Sequence, residues 1–124
     1  MKKQRPKNLN LFTIRFPIPA IASILHRISG FILFLLIPFI LWGFYLSLTS
    51  AQSFNDLHQI LITPWVKLVI WCSLSAFLYH FIAGIRHLLM DIGMGEELKS
   101  GKLSAIFTII IAAVLIILTG IWLW

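Results

Sequence analysis

The 124 residues include 60% hydrophobic and only 11% charged residues, and their mean hydropathy is +0.97. This composition excludes an ordinary soluble domain and indicates a protein of the lipid bilayer. The formal net charge is +6, but the basic residues flank apolar segments and form no patch interleaved with aromatic residues, so nucleic-acid binding is not expected.

A basic arm, residues 1–19, opens the chain and precedes three apolar segments. A membrane-spanning helix needs about 20 mostly apolar residues, and each of the three segments is long enough. They are residues 21–48, 65–90 and 104–124. We therefore expect an all-α membrane protein that consists of one membrane-anchor domain with three transmembrane helices.

The connection between the first two spans, residues 49–63, contains no lysine or arginine, whereas the arm and the segment after the second span both contain them. Basic residues favour the cytoplasmic side of a membrane, so we expect a cytoplasmic N-terminus. Within the connection, the apolar residues Leu57, Ile60 and Leu61 stand against the polar His58 and Gln59, before Pro64. This pattern predicts a short helix that lies in the membrane interface.

Polar residues stand near the start of the first span. Ser23, Arg27 and Gly30 share one helix face, and His26 lies one step around from Arg27. Counted from Pro19, Arg27 lies roughly 12 Å along the helix, where a guanidinium needs an anionic or strongly polar partner. Three of the four acidic residues lie in connecting segments, so we expect that partner to be a ligand.

Two histidines, His80 and His87, stand seven residues apart in the second span with Gly84 between them. Seven residues make nearly two helical turns, so all three positions lie on one face. Counted back from Asp91 at ~1.5 Å per residue, His80 lies roughly 16 Å deep and His87 about 6 Å deep. His80 could be a hydrogen-bonded core residue or a metal ligand, with Gly84 leaving an open space beside it.

The remaining polar residues of the spans have simpler interpretations. Three of them lie near the membrane surface: Arg86, His87 and Asp91. Their side chains can reach the polar interface of the membrane, or they can pair with one another. The third span is rich in isoleucine and leucine, and its sequence indicates no catalytic or binding residue.

Two motifs resemble the cytochrome b membrane-anchor subunits of bacterial succinate dehydrogenase. One is S-x-x-H-R-x-S-G at residues 23–30, and the other is H-x-x-x-G-x-R-H-x-x-x-D at residues 80–91. The similarity covers essentially the whole chain. It implies that the chain is half of a heterodimeric helical anchor in the bacterial inner membrane.

The resemblance also implies roles for five residues. His80 would be one axial ligand of a single haem b, and a second small membrane subunit would supply the other ligand. Ser23 and Arg27 would line the ubiquinone pocket, while His26 and Arg27 would approach the haem propionates. His87 belongs to the family motif, with a role at a propionate or at the subunit interface.

The activity implied by the resemblance belongs to a complex. A flavoprotein subunit oxidises succinate, an iron–sulfur subunit relays the electrons, and the membrane pair holds the ubiquinone that receives them. The anchor would not itself act on succinate. Ser23 could donate a hydrogen bond to a quinone carbonyl, and Arg27 could stabilise the negative charge that develops on reduction.

Three other functions remain open. The chain could anchor a quinol:fumarate reductase that runs in the opposite direction. It could be a small transporter in which His80, His87 and Asp91 relay protons. It could also be a purely structural subunit whose histidines form interhelical hydrogen bonds worth about 0.6–2 kcal/mol each. Against this role stands Arg27, because placing its charge within the membrane costs free energy.

Overall fold

The computed structural model describes residue 10 and residues 12–124, and this part of the chain is helical and contains no strand. Its helices are α1 (Ile18–Thr49), α2 (Ala51–Leu61), α3 (Pro64–Asp91) and α4 (Leu98–Leu123). By length and composition, α1, α3 and α4 can each cross a membrane. The expected all-α fold with three membrane-spanning helices is confirmed.

Local sequence signals explain where the helices begin. Pro19 lies in the first turn of α1, and Pro64 is the first residue of α3. Proline fits these positions because the N–H that it lacks has no partner in the first turn of a helix. In contrast, α4 begins at Leu98 and not at residue 104, because hydropathy detects the apolar part of a helix and misses its polar first turns.

The short helix expected in the connection is α2. Its N-cap is Ser50, whose side chain accepts a hydrogen bond from the backbone N–H of Ser53 at 3.0 Å. In return, Ser53 Oγ accepts from the backbone N–H of Ser50 at 3.1 Å, which completes a reciprocal cap. The hydroxyl of Ser53 also lies 2.8 Å from the carbonyl oxygen of Leu46, so these bonds tie α2 to the end of α1.

Small side chains occupy the most buried positions of the three long helices. Ala22, Ala83, Ala105 and Ala112 are each at most 1% exposed. Small residues let helix backbones approach closely, which membrane helices need because lipid provides no hydrophobic force between them. Most of the large apolar side chains face outward instead, so the outer surface suits lipid or another membrane subunit.

Polar side chains of α3 join α3 to α4 near one end of the unit. The indole Nε1 of Trp71 donates to the carbonyl oxygen of Ile116 at 3.0 Å. The ammonium of Lys67 donates to the carbonyl oxygen of Leu123 at 3.1 Å. That carbonyl belongs to the last turn of α4, where unpaired carbonyls attract a cation.

Enlarging Ala112 is expected to weaken the packing of α4. Ala112 is 1% exposed and belongs to a small core with Tyr79 and Ala83. Inserting extra carbons into a filled core costs about 1–3 kcal/mol. Ala112→Leu should therefore lower the thermal unfolding midpoint of the detergent-purified protein, followed by the loss of its size-exclusion peak. The next residue, Ala113, is exposed, so Ala113→Leu is the control; equal midpoints for both variants would contradict this packing.

Candidate functional site

Three histidine rings stack where α1 packs against α3. The ring of His26 lies in the middle, with its centroid 4.1 Å from that of His80 and 4.7 Å from that of His87. The interplanar angles are 10° and 21°. Because His80 and His87 project from α3 two turns apart, the His26 ring of α1 enters the gap between them. We call these three residues the histidine stack.

Glycines on both helices make room for the stack. A Cβ at Gly84 would lie 3.5 Å from Nε2 of His26. The space at Gly84 therefore receives His26, whereas the sequence had led us to expect an open space beside His80. The glycine that meets His80 is Gly30 of α1, where a Cβ would lie only 2.9 Å from the Cε1 atom of His80. A larger residue at position 30 would have to displace that ring.

Hydrogen bonds hold one nitrogen of His80. Its Nδ1 lies 3.1 Å from Ser29 Oγ and 3.1 Å from the carbonyl oxygen of His26. Ser29 is 6% exposed, and its hydroxyl donates to the same carbonyl at 2.8 Å. Among the described residues, Nε2 of His80 has no hydrogen-bond partner. It is therefore the nitrogen that remains free to bind another group.

The other two rings differ in how their nitrogens are used. Nδ1 of His87 donates to the carbonyl oxygen of Ala83, one turn earlier in α3, at 2.8 Å. Nε2 of His26 is buried and has no hydrogen-bond partner in the described part of the chain. A buried nitrogen without a partner is unusual in a native protein and needs an explanation.

Tyr79 fixes the position of α1 against α3 beside the stack. It is 9% exposed, and its hydroxyl donates to the carbonyl oxygen of Ala22 at 2.8 Å. Tyr79 precedes His80 by one residue, and Ala22 lies one turn before His26. The bond therefore sets which turns of the two helices meet.

Ser23 and Arg27 lie on α1 beside the stack and do not belong to it. Ser23 is half-buried and Arg27 is exposed. Neither side chain forms a hydrogen bond with another residue that the structure describes. Gly30, which shares their helix face, lies against His80. The guanidinium of Arg27 is thus available to a group outside the chain.

Arg86 lies inside the helical unit. It is 7% exposed, and it donates from Nε to Ser104 Oγ at 3.0 Å and from Nη2 to the carbonyl oxygen of Gly101 at 3.2 Å. The interpretation that it extends to the membrane surface or pairs with His87 or Asp91 is therefore wrong. Its partners belong to α4, the helix for which the sequence indicated no catalytic or binding residue.

The histidine stack is a poor chelating site for a small metal ion. The described residues contain no group of three or more His, Cys, Asp or Glu side chains that could hold one. Stacked rings face one another, so their nitrogens do not converge on a common point as a zinc site requires. The site can instead offer an imidazole nitrogen, such as Nε2 of His80, to a larger cofactor that has another ligand elsewhere.

Comparison with known proteins identifies the family. A family model described as "Succinate dehydrogenase/Fumarate reductase transmembrane subunit" matches residues 1–119. The chain belongs to this family. Both motifs that carry the resemblance lie within the matched residues, and the resemblance to succinate dehydrogenase anchor subunits is confirmed.

Several relatives of this family member are named as cytochrome b subunits. The chain is 46% identical over 125 residues to the succinate dehydrogenase cytochrome b556 subunit of Coxiella burnetii, and 100% of both chains is covered. It is 34% identical over 116 residues to the b556 subunit of Paracoccus denitrificans, covering 93% of this chain and 88% of the relative. It is 43% identical over 74 residues to the succinate dehydrogenase cytochrome b560 subunit of Porphyra purpurea, covering 56% and 57% of the two chains.

Sequence reasoning missed some residues of the site. Ser29 is part of the first motif, but nothing in its spacing indicates a contact with His80. Tyr79 stands in an apolar run where an aromatic residue is ordinary. The only available signal was chemical, because a phenol or hydroxyl buried in a membrane helix needs a hydrogen-bond partner.

Proposed function

We propose that this chain is the haem b-bearing membrane anchor of a succinate:ubiquinone oxidoreductase, respiratory complex II. The printed names of its relatives support this, since they are succinate dehydrogenase cytochrome b subunits, and a cytochrome b carries haem b. The single observation that carries the proposal is the state of His80, whose Nδ1 is held while its Nε2 has no partner among the described residues.

The residues of the histidine stack fit a haem. His80 offers one nitrogen in a helix-packed site, as an axial ligand must. The buried Nε2 of His26, which has no partner among the described residues, would find an acceptor in a propionate oxygen. Haem b supplies a one-electron redox centre when it is bound. The resemblance assigns one axial ligand, His80, to this chain, and a second anchor subunit is proposed to provide the other.

Ser23 and Arg27 are proposed to bind ubiquinone as substrate. They stand one turn apart on α1 and have no hydrogen-bond partner in the described part of the chain. The Ser23 hydroxyl can donate to a quinone carbonyl. Arg27 has a permanent positive charge that favours the negative charge developing on reduction, and its forked donors also suit a propionate. His87 is proposed to support His26, since their rings stack.

The role of the chain is therefore binding and orientation. Succinate would be oxidised on a flavoprotein subunit, and an iron–sulfur subunit would deliver the electrons. This chain would hold the quinone near that donor and exclude water from it. The proposed location is the bacterial inner membrane, with the N-terminus in the cytoplasm where the soluble subunits would dock.

The anchor of a quinol:fumarate reductase is the second candidate function, because the family description covers both enzymes. The reduction potential of the complex and the quinone that it binds would distinguish the two. The names of the relatives favour succinate oxidation. A proton relay through His80, His87 and Asp91 has weaker support, because His26 separates the first two rings.

A visible spectrum of the complex purified through this chain tests the proposal. The dithionite-reduced minus oxidised spectrum should contain a b-type α-band, and flavoprotein and iron–sulfur subunits should co-purify. A complex that contains neither haem nor these subunits would refute it.

Gly30→Ala is expected to weaken haem retention. The added Cβ would meet Cε1 of His80 at 2.9 Å, and the ring cannot yield freely because Nδ1 is bonded and one face is stacked on His26. Haem content per flavin of the purified complex measures the effect. A Cβ at Gly43, in the same helix, meets nothing within 4 Å. Gly43→Ala should therefore keep the wild-type haem content, and the same content in Gly30→Ala would contradict the close approach.

A further inference from the structure

The hydrogen-bond partners of His80 determine which of its nitrogens carries the proton. Nδ1 lies 3.1 Å from two oxygens, Ser29 Oγ and the carbonyl oxygen of His26. A carbonyl oxygen has no proton and can only accept. Nδ1 must therefore be the donor in that contact.

The hydroxyl of Ser29 agrees with this assignment. Its proton points to the carbonyl oxygen of His26, at 2.8 Å, so Oγ presents a lone pair to Nδ1 of His80. The Nδ1 proton is then shared between two acceptors. In the opposite tautomer, the lone pair of Nδ1 would face the lone pairs of the carbonyl, which is repulsive and costly in a low-dielectric interior. Neutral His80 thus carries its proton on Nδ1 and its lone pair on Nε2.

We propose that Ser29 is a positioning residue for haem ligation. Together with the carbonyl of His26, it holds His80 with Nε2 as the ligating atom. This inference rests on the proposed haem-binding function. In metal sites, a hydrogen bond from the second ring nitrogen fixes the ring and makes the ligating nitrogen more basic. A more basic ligand favours ferric over ferrous iron and lowers the midpoint potential.

The surroundings of Ser29 make its hydroxyl difficult to replace. The side chain is 6% exposed, so bulk water has little access to the position that a removed hydroxyl would leave. Besides these hydrogen bonds, His80 stacks on the ring of His26 and lies close to Gly30. Neither accepts the proton of Nδ1, so the carbonyl of His26 would be its only remaining acceptor among the described residues.

The test is Ser29→Ala in the whole complex. The haem should remain bound, but its midpoint potential in an equilibrium redox titration should be higher than in the wild type. Loss of haem to an excess of an apo-haem acceptor should be about tenfold faster. The matched control is Ser47→Ala, because the hydroxyl of Ser47 also donates to a carbonyl three residues earlier in α1, that of Phe44, at 2.6 Å. This control should behave as the wild type.

The outcomes separate this inference from the function on which it rests. An unchanged or lower potential in Ser29→Ala, with haem loss at the wild-type rate, would overturn the role of Ser29. His80→Ala is measured in parallel. If that variant kept the wild-type haem spectrum, the haem-ligand assignment itself would fail, whatever the result for Ser29.

Discussion

Replacing His80 by alanine is expected to remove the low-spin haem b spectrum from the complex. Nε2 of His80 has no partner among the described residues, while its ring is held in place by two groups of α1, the Ser29 hydroxyl and the carbonyl oxygen of His26, and by stacking on the His26 ring. Loss of a residue that hydrogen-bonds to a metal ligand costs about 10–100-fold in metal affinity, and loss of the ligand itself should cost more. Haem content per flavin and the reduced minus oxidised spectrum measure the effect.

A second histidine variant provides the control. His58 lies on α2 and is exposed, so His58→Ala should retain the wild-type spectrum. Succinate oxidation with a soluble artificial electron acceptor should survive in both variants, because in the proposed complex that reaction takes place on the flavoprotein subunit. An unchanged low-spin spectrum in His80→Ala would rule out His80 as the axial ligand.

Replacing Arg27 or Ser23 is expected to impair ubiquinone reduction without loss of assembly. A hydrogen bond to a charged group is worth about 1.5–3 kcal/mol and a neutral one about 0.5–1.5 kcal/mol. Arg27→Leu should therefore reduce kcat/KM for ubiquinone by about 10–150-fold, and Ser23→Ala should have a smaller effect. The measurement is succinate:ubiquinone reductase activity relative to succinate oxidation with an artificial acceptor.

Two matched variants separate quinone binding from general effects of charge and polarity. Arg15 is exposed and lies before the start of α1, so Arg15→Leu removes the same charge outside the proposed site. Ser47→Ala removes a hydroxyl from the same helix as Ser23. Both should retain full quinone reductase activity. Wild-type activity in Arg27→Leu and Ser23→Ala would remove these two residues from the proposed quinone site.

The membrane fold was predictable because a single physical requirement dominates it. A bilayer demands about 20 apolar residues per crossing, and the chain meets that demand three times. The short helix α2 was also predictable, because its apolar positions recur at helical spacing before Pro64. The start of α4 was not, since its first turns are polar and their helical state depends on the rest of the helix.

Part of the histidine stack was visible in the sequence. The spacing of His80, Gly84 and His87 placed them on one helix face, because that depends only on the period of the helix. The occupant of the gap could not be inferred, since it depends on which turn of α1 meets that face. Tyr79 and its bond to Ala22 take part in that choice, and so the gap receives His26.

The sequence by itself determined the class of the protein, its three spans and the family motifs, because composition, helical period and motif spacing are local properties of a chain. Only the tertiary structure decided that Arg86 joins α3 to α4 and that Ser29 holds His80. The physical reason is the same in both cases. A buried polar group must find a partner, and in this protein those partners lie on other helices, whose alignment depends on the packing of small residues and on bonds such as that of Tyr79 to Ala22.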